Sequence, residues 1–106
     1  MRVGFNSEHW LDAIGNPAGG CTSGTGFTIS WQNGPLGRGN DRKAPNGAFV
    51  EDVIAAAADR IGEYQKGKFN CPENAAALHH LEQALEALDS RTKSREVRQV
   101  EGTHAA

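Results

Sequence analysis

The chain has 106 residues, a formal net charge of −2 at pH 7 and a pI near 6.0. Hydrophobic residues make up 38% and charged residues 23%, with 13 Gly and 4 Pro, which is a globular composition with a large share of turns. The acidic balance argues against a general DNA or RNA binder, which carries a basic excess. No segment approaches the roughly 18 apolar residues that a membrane span needs.

A chain this short builds a thin core, so self-association is expected. Cys21 and Cys71 lie far apart and form no metal-type pair; they read as reduced thiols. The residues from Met1 to Glu8 hold no apolar stretch that would act as a signal peptide. A soluble protein of the cytoplasm is expected.

Composition shifts near Asn46. Before it lie most glycines, both tryptophans and all prolines but one; after it comes an Ala-, Leu-, Glu- and Arg-rich stretch of helical period. The expected fold is α+β, with a small β-rich N-terminal unit over 1–45 and a helical-hairpin domain over 46–106 that ends in a basic segment. Residues 16–24 read as a Gly-rich loop. From Gly26 to Gln32, Phe27, Ile29 and Trp31 alternate with polar residues, the period of a half-buried strand. Asn33-Gly34-Pro35 ends it, and Leu36 to Asp41 is expected to return as a partner strand, weakened by Gly37 and Gly39.

The first helix is predicted from about Asn46-Gly47 to Gln65, with Phe49, Val53, Ala57, Ile61 and Tyr64 as its apolar face. Lys66-Gly67-Lys68 stops it. Pro72 opens the second helix. Leu78, Leu81, Leu85 and Leu88 form its seam, with Glu82, Glu86, Asp89 and Lys93 on the solvated side. The short connection makes the two helices antiparallel neighbours.

Past Leu88 the same face changes character. Arg91, Arg95 and Arg98 follow at four- and three-residue spacing and stay within about 80° of Leu88 around the axis. Guanidinium groups held toward protein need anionic partners. Glu96, Glu101, the acids of another subunit or ligand phosphates would all serve, and a solvated helix end complementing its dipole is the plain alternative. At the other end of the hairpin, Tyr64, Phe69 and Asn74 put aromatic rings near an amide. That combination suits a stacked base whose edge is read, and equally suits ordinary hairpin packing. Arg38 sits between Gly37 and Gly39, free to approach a ligand closely or simply to be solvated.

Catalytic signals are weak. The Gly-rich run 19–26 lacks the G-x-x-x-x-G-K-[ST] pattern and precedes a strand, so it is no P-loop. His79 and His80 are adjacent on a helix and diverge by about 100°, too far to chelate one metal. Glu82 and Glu86 fit a solvated face better than an acid–base dyad. Neither metal nor cofactor is expected.

Three segments carry a resemblance: Gly26-Phe27-Thr28-Ile29-Ser30-Trp31-Gln32-Asn33-Gly34-Pro35, the stretch Asn46 to Ile54, and the closing run Arg91 to His104. Over roughly residues 20–104 the chain resembles the phage Thoeris anti-defence family, the first type described, which shares a helical-hairpin domain with a phage anti-CBASS family. The resemblance implies a protein that sequesters immune cyclic nucleotides in the host bacterial cytoplasm without degrading them. The ligands it implies are cyclic ADP-ribose isomers and, for some members, CBASS cyclic oligonucleotides. It also implies a homodimer, or a hexamer built from three dimers. Carried over by position, the stacking aromatic falls on Tyr64, the asparagine on Asn74, the closing-motif arginine on Arg91 and the loop arginine on Arg38. Arg95 and Arg98 are assigned to a second site or an interface. Family members often have Phe at the position of Tyr64 and glycine at that of Gln99. The rival expectations are a hydrolase of the same signals and a protein-binding adaptor assembled through the hairpin.

Overall fold

A computed structural model describes residues 4–106. The chain divides into two compact units, one formed by residues up to Phe49 together with Val100–Ala106, the other by Val50–Gln99.

The first unit is built on a three-stranded antiparallel meander, β1 (Phe5–Leu11), β2 (Pro17–Gly24) and β3 (Phe27–Trp31), in the order β1-β2-β3. The strand expected around Gly26 to Gln32 is present as β3. The Gly-rich stretch expected to be a loop is instead the central strand β2, and β1 is a strand that no sequence pattern signalled. Backbone pairing on both sides accounts for β2: Gly20 lies opposite both His9 and Trp31, and Thr22 opposite both Ser7 and Ile29. Side chains contribute little there, so side-chain periodicity is silent. Trp31 reaches over the sheet and donates Nε1–H to Thr22 Oγ1 at 2.9 Å, and the two hydroxyls of Thr22 and Ser7 share a bond of 2.7 Å.

The segment Leu36 to Asp41 does not return as a strand. It holds a 3-10 turn, Gly39–Asp41, because Gly37 (φ 84°) and Gly39 (φ 57°) both take left-handed backbone that breaks a ladder. The partner of β3 comes later. Ala48 bridges Trp31 in parallel, its N–H donating to Ser30 O at 2.7 Å and its carbonyl accepting from Gln32 N–H at 3.0 Å. Asn46 ties the same edge from its side chain, exchanging two bonds with the Asn33 backbone. Gly47 allows this approach: a Cβ there would stand 2.6 Å from the Trp31 carbonyl. These bonds occupy the residues expected to start the first helix, which therefore begins at Val50.

The second unit is the helical hairpin, α1 (Val50–Gln65) and α2 (Pro72–Val97). Glu51 and Asp52 lie in the first turn of α1, complementing its dipole. α2 starts where expected, with Pro72 at its first position and Cys71 as N-cap, whose Sγ accepts the Asn74 N–H at 3.4 Å. The connection is closed by Gln65, whose side-chain amide exchanges bonds with Cys71 N–H (3.1 Å) and Cys71 O (3.2 Å). Leu78, Leu81, Leu85 and Leu88 are half-buried, as the seam requires, while Glu82, Glu86, Asp89 and Lys93 are exposed. On α1 the half-buried residues are Glu51 in the first turn and then Val53, Ile54, Ala58, Ile61, Gly62 and Gln65. The expected face is thus rotated: Ala57 and Tyr64 are exposed, since the row 54, 58, 61, 65 holds the facing position.

Among the described residues no hydrophobic side chain is fully buried. Each seam leucine gives up only part of its surface. Its contribution stays below the roughly 1.5–3 kcal/mol of full burial.

The candidate nucleotide-binding site

The six residues singled out from the sequence fall into separate groups. Tyr64 and Asn74 lie together at the closed end of the hairpin, the last turn of α1 and the first of α2. Arg91 lies far along α2 from Asn74, about 26 Å away at 1.5 Å per residue. Because α2 is longer than α1, which runs antiparallel to it, Arg91 stands at the opposite end of the hairpin from Tyr64. One hairpin does not bring them together.

At the closed end, Tyr64 is 40% exposed and Phe69 is 67% exposed. Each carries a cation over its ring. The Arg60 guanidinium carbon lies 5.0 Å from the Tyr64 centroid and Lys68 Nζ 5.4 Å from that of Phe69. Arg60 also donates Nε–H to the Tyr64 hydroxyl at 3.2 Å, and this bond raises the guanidinium pKa further above its already high value. The sequence reading passed over Arg60, although its spacing of four from Tyr64 on one helix signals the contact. Asn74 donates Nδ2–H to Phe69 O at 3.2 Å. The amide thereby orders the connection, as the packing alternative expects, and its Oδ1 makes no hydrogen bond among the described residues. The two readings of Asn74 are compatible.

At the far end the arginines differ. Arg91 is exposed, and its side chain makes no hydrogen bond or ion pair among the described residues. Arg95 is buried, 7% exposed, and engaged with neighbouring groups. Arg98 is exposed, also engaged, and forms the C-cap of α2. One sequence face therefore yields one open cation, one buried cation and one helix terminator. The helix closes at Gln99, which takes left-handed backbone (φ 60°) and donates its N–H to Glu96 O at 3.0 Å, the pattern of a helix C-terminus that glycine favours.

Arg38 belongs to the first unit. It donates Nη1–H to Glu101 O at 2.8 Å, while Arg42 makes an ion pair with the Glu101 carboxylate at 2.7 Å and Gly37 N–H bonds Gly102 O at 2.7 Å. Residues 101 and 102 thus hold the loop that carries Arg38. Gly102 (φ 80°) fits there because a Cβ would collide with the Gly37 carbonyl.

Other features of the chain offer less. An open groove beside the turn between β2 and β3 is lined by Phe5, Asn6, Ser23, Gly24 and neighbours, and contains none of the six residues. His79 and His80 rings are tilted, with centroids 5.7 Å apart. No cluster of His, Cys, Asp and Glu suited to a metal occurs among the described residues. Among the described residues no helix is long and apolar enough to cross a membrane.

The chain is 44% identical over 77 residues to Thoeris anti-defense 1 of Bacillus phage SBSphiJ7, covering 73% of this chain and 51% of that protein. The chain spans about half the length of that relative. The family description "Acb2/Tad1, hairpin domain" matches residues 25–93, a span that includes Arg38, Tyr64, Asn74 and Arg91. With its two-helix hairpin following a small sheet, the chain belongs to the Acb2/Tad1 hairpin-domain family.

Proposed function

We propose that this protein is a phage anti-defence sponge, which binds cyclic nucleotide immune signals in the cytoplasm of an infected bacterium and withholds them without cleaving them. The observation that carries the reading is an accessible ring beside an amide at one end of the hairpin and an unpartnered guanidinium at the other. A cyclic ADP-ribose isomer offers an adenine to stack, ribose hydroxyls for Asn74 and a pyrophosphate for arginine. CBASS cyclic oligonucleotides present the same groups in repetition.

The site is composite. Two hairpins aligned antiparallel bring Tyr64 and Asn74 of one copy to Arg91 of another, so assembly and binding are one event. Half-buried leucines and the lack of a fully buried hydrophobic residue among those described support such assembly, as a homodimer or as three dimers in a hexamer. Arg38 adds a second phosphate contact, and Arg95 and Arg98 serve an interface or a further site. Nanomolar capture requires about −12 kcal/mol. One stacked base and a few charge-assisted bonds reach that only in a rigid, enclosed pocket, which an interface provides.

Calorimetry with cyclic ADP-ribose isomers tests the reading. Saturable heat, followed by release of chemically unchanged ligand on heating, is expected. Absence of heat at micromolar concentrations removes the ligand class, and release of a linear product replaces the sponge with a hydrolase. Wild-type affinity in Arg91→Ala would remove that residue from the site.

A further inference from the structure

We infer that Arg60 binds a phosphate oxygen of the nucleotide whose base stacks on Tyr64. This assignment rests on the nucleotide-binding reading above and adds to it a cation at the aromatic end of the same hairpin.

Arg60 and Tyr64 share one face of α1, and the guanidinium carbon lies 5.0 Å from the ring centroid. Its Nε–H is committed to the Tyr64 hydroxyl at 3.2 Å. That bond uses one of five donors and leaves the fork formed by the two Nη atoms without a hydrogen-bond partner among the described residues. No carboxylate forms an ion pair with it among the described residues: Glu63, whose charge also acts on Arg60, pairs with Lys66 at 3.5 Å. A held guanidinium fork without an ion-pair partner matches a phosphate's paired oxygens. A nucleotide carries its phosphate one ribose away from its base, so a base on the Tyr64 ring presents that phosphate to the nearest cation. Arg91 of the same chain stands about 26 Å off along the hairpin and cannot serve. Lys68 is aligned on a different ring, that of Phe69. The hydroxyl that positions Arg60 is also what distinguishes Tyr64 from phenylalanine, so the device is written into this chain's own sequence.

The test is an NMR titration of the full chain with ADP and, separately, with adenosine, which has the base and sugar but no phosphate. With ADP, the Arg60 Nε–H and the Tyr64 ring signals are expected to move together on one saturating curve. Arg60→Gln should weaken ADP binding by about tenfold, the loss typical of one charge-assisted bond. It should leave adenosine binding within about twofold, because base stacking does not use the charge. Arg60→Lys should fall between, and all variants should keep wild-type helical circular dichroism. ADP saturation that leaves Arg60 Nε–H unmoved overturns the assignment, as does equal loss of ADP and adenosine in Arg60→Gln, or no response to ADP at all. If ADP moves Arg60 but cyclic ADP-ribose isomers do not bind, the sponge reading fails and the Arg60 assignment stands.

Discussion

Tyr64 and Arg91 stand at opposite ends of one hairpin, the first in the last turn of α1 and the second beyond the reach of α1 along α2. A ring and a cation assigned to one ligand are thus separated by about 26 Å within a chain. In the proposed assembly, two antiparallel copies would reunite them. That relationship makes complementation between damaged copies the natural experiment. Tyr64→Ala and Arg91→Ala proteins should each lose about 10- to 100-fold in affinity for a cyclic ADP-ribose isomer. Mixed and co-assembled, they should recover wild-type affinity at a fraction of the sites, because some interfaces then hold both intact residues. Mixtures as weak as either parent would place the two residues in different sites.

Stability should depend on protein concentration. No hydrophobic residue among those described is fully buried in the single chain, and the proposed association would cover more of the leucine seam and the exposed rings. A hundredfold rise in concentration adds about 2.7 kcal/mol per dimer by mass action, enough to raise Tm by several degrees. A Tm that stays constant between micromolar and hundred-micromolar protein would contradict assembly through these surfaces.

Gln99 is the one non-glycine residue with left-handed backbone among those described. It occupies the position after the C-cap of α2, where a Cβ is penalised and glycine is generally favoured. Gln99→Gly should stabilise the protein by about 1 kcal/mol and raise Tm by a few degrees. Gln99→Val should do the reverse. Thermal melts of the two variants at one concentration decide it, and a destabilised Gln99→Gly would show that the Gln side chain holds something more valuable than relief of strain.

The turn between β1 and β2 supplies a pH dependence. Asp12 Oδ1 accepts the amide N–H groups of Asn16 at 2.9 Å and Ile14 at 3.0 Å. The Asn16 bond is the largest cause that holds its pKa below the ordinary 3.8, with a lesser contribution from the charge of His104. A depressed carboxylate contributes stability that is complete above its unfolded pKa and is lost as pH falls through its folded one. The Tm difference between wild type and Asp12→Ala should therefore be constant at neutral pH and shrink below pH 3.8. A difference that grows on acidification would reverse the sign.

Legibility in the sequence follows where side chains, rather than backbone, hold the structure. β3 showed through the alternation of Phe27, Ile29 and Trp31, and α2 through Pro72 and the four-leucine seam. β2 did not, because Gly20 and Gly24 pair through main-chain groups and leave no pattern. The start of α1 was displaced for a similar reason: Asn46 and Ala48 are claimed by the edge of β3, a contact from remote sequence. At the candidate site, Arg60 was available from its spacing to Tyr64, whereas the hold of Glu101 on Arg38 joins residues 63 apart and had no local signal. The helical face through Leu88, Arg91, Arg95 and Arg98 could be traced by angle alone, but angle does not report burial. Only the structure separates exposed Arg91 from buried Arg95.

The most direct test of sequestration is native mass spectrometry of the protein mixed with cyclic ADP-ribose isomers, read both as the intact assembly and as the ligand ejected from it. The account predicts an oligomer whose mass rises by whole ligands, and an ejected species with the mass of the untouched cyclic compound. A bare chain or assembly at micromolar ligand, or a hydrolysed product leaving the protein, would contradict it.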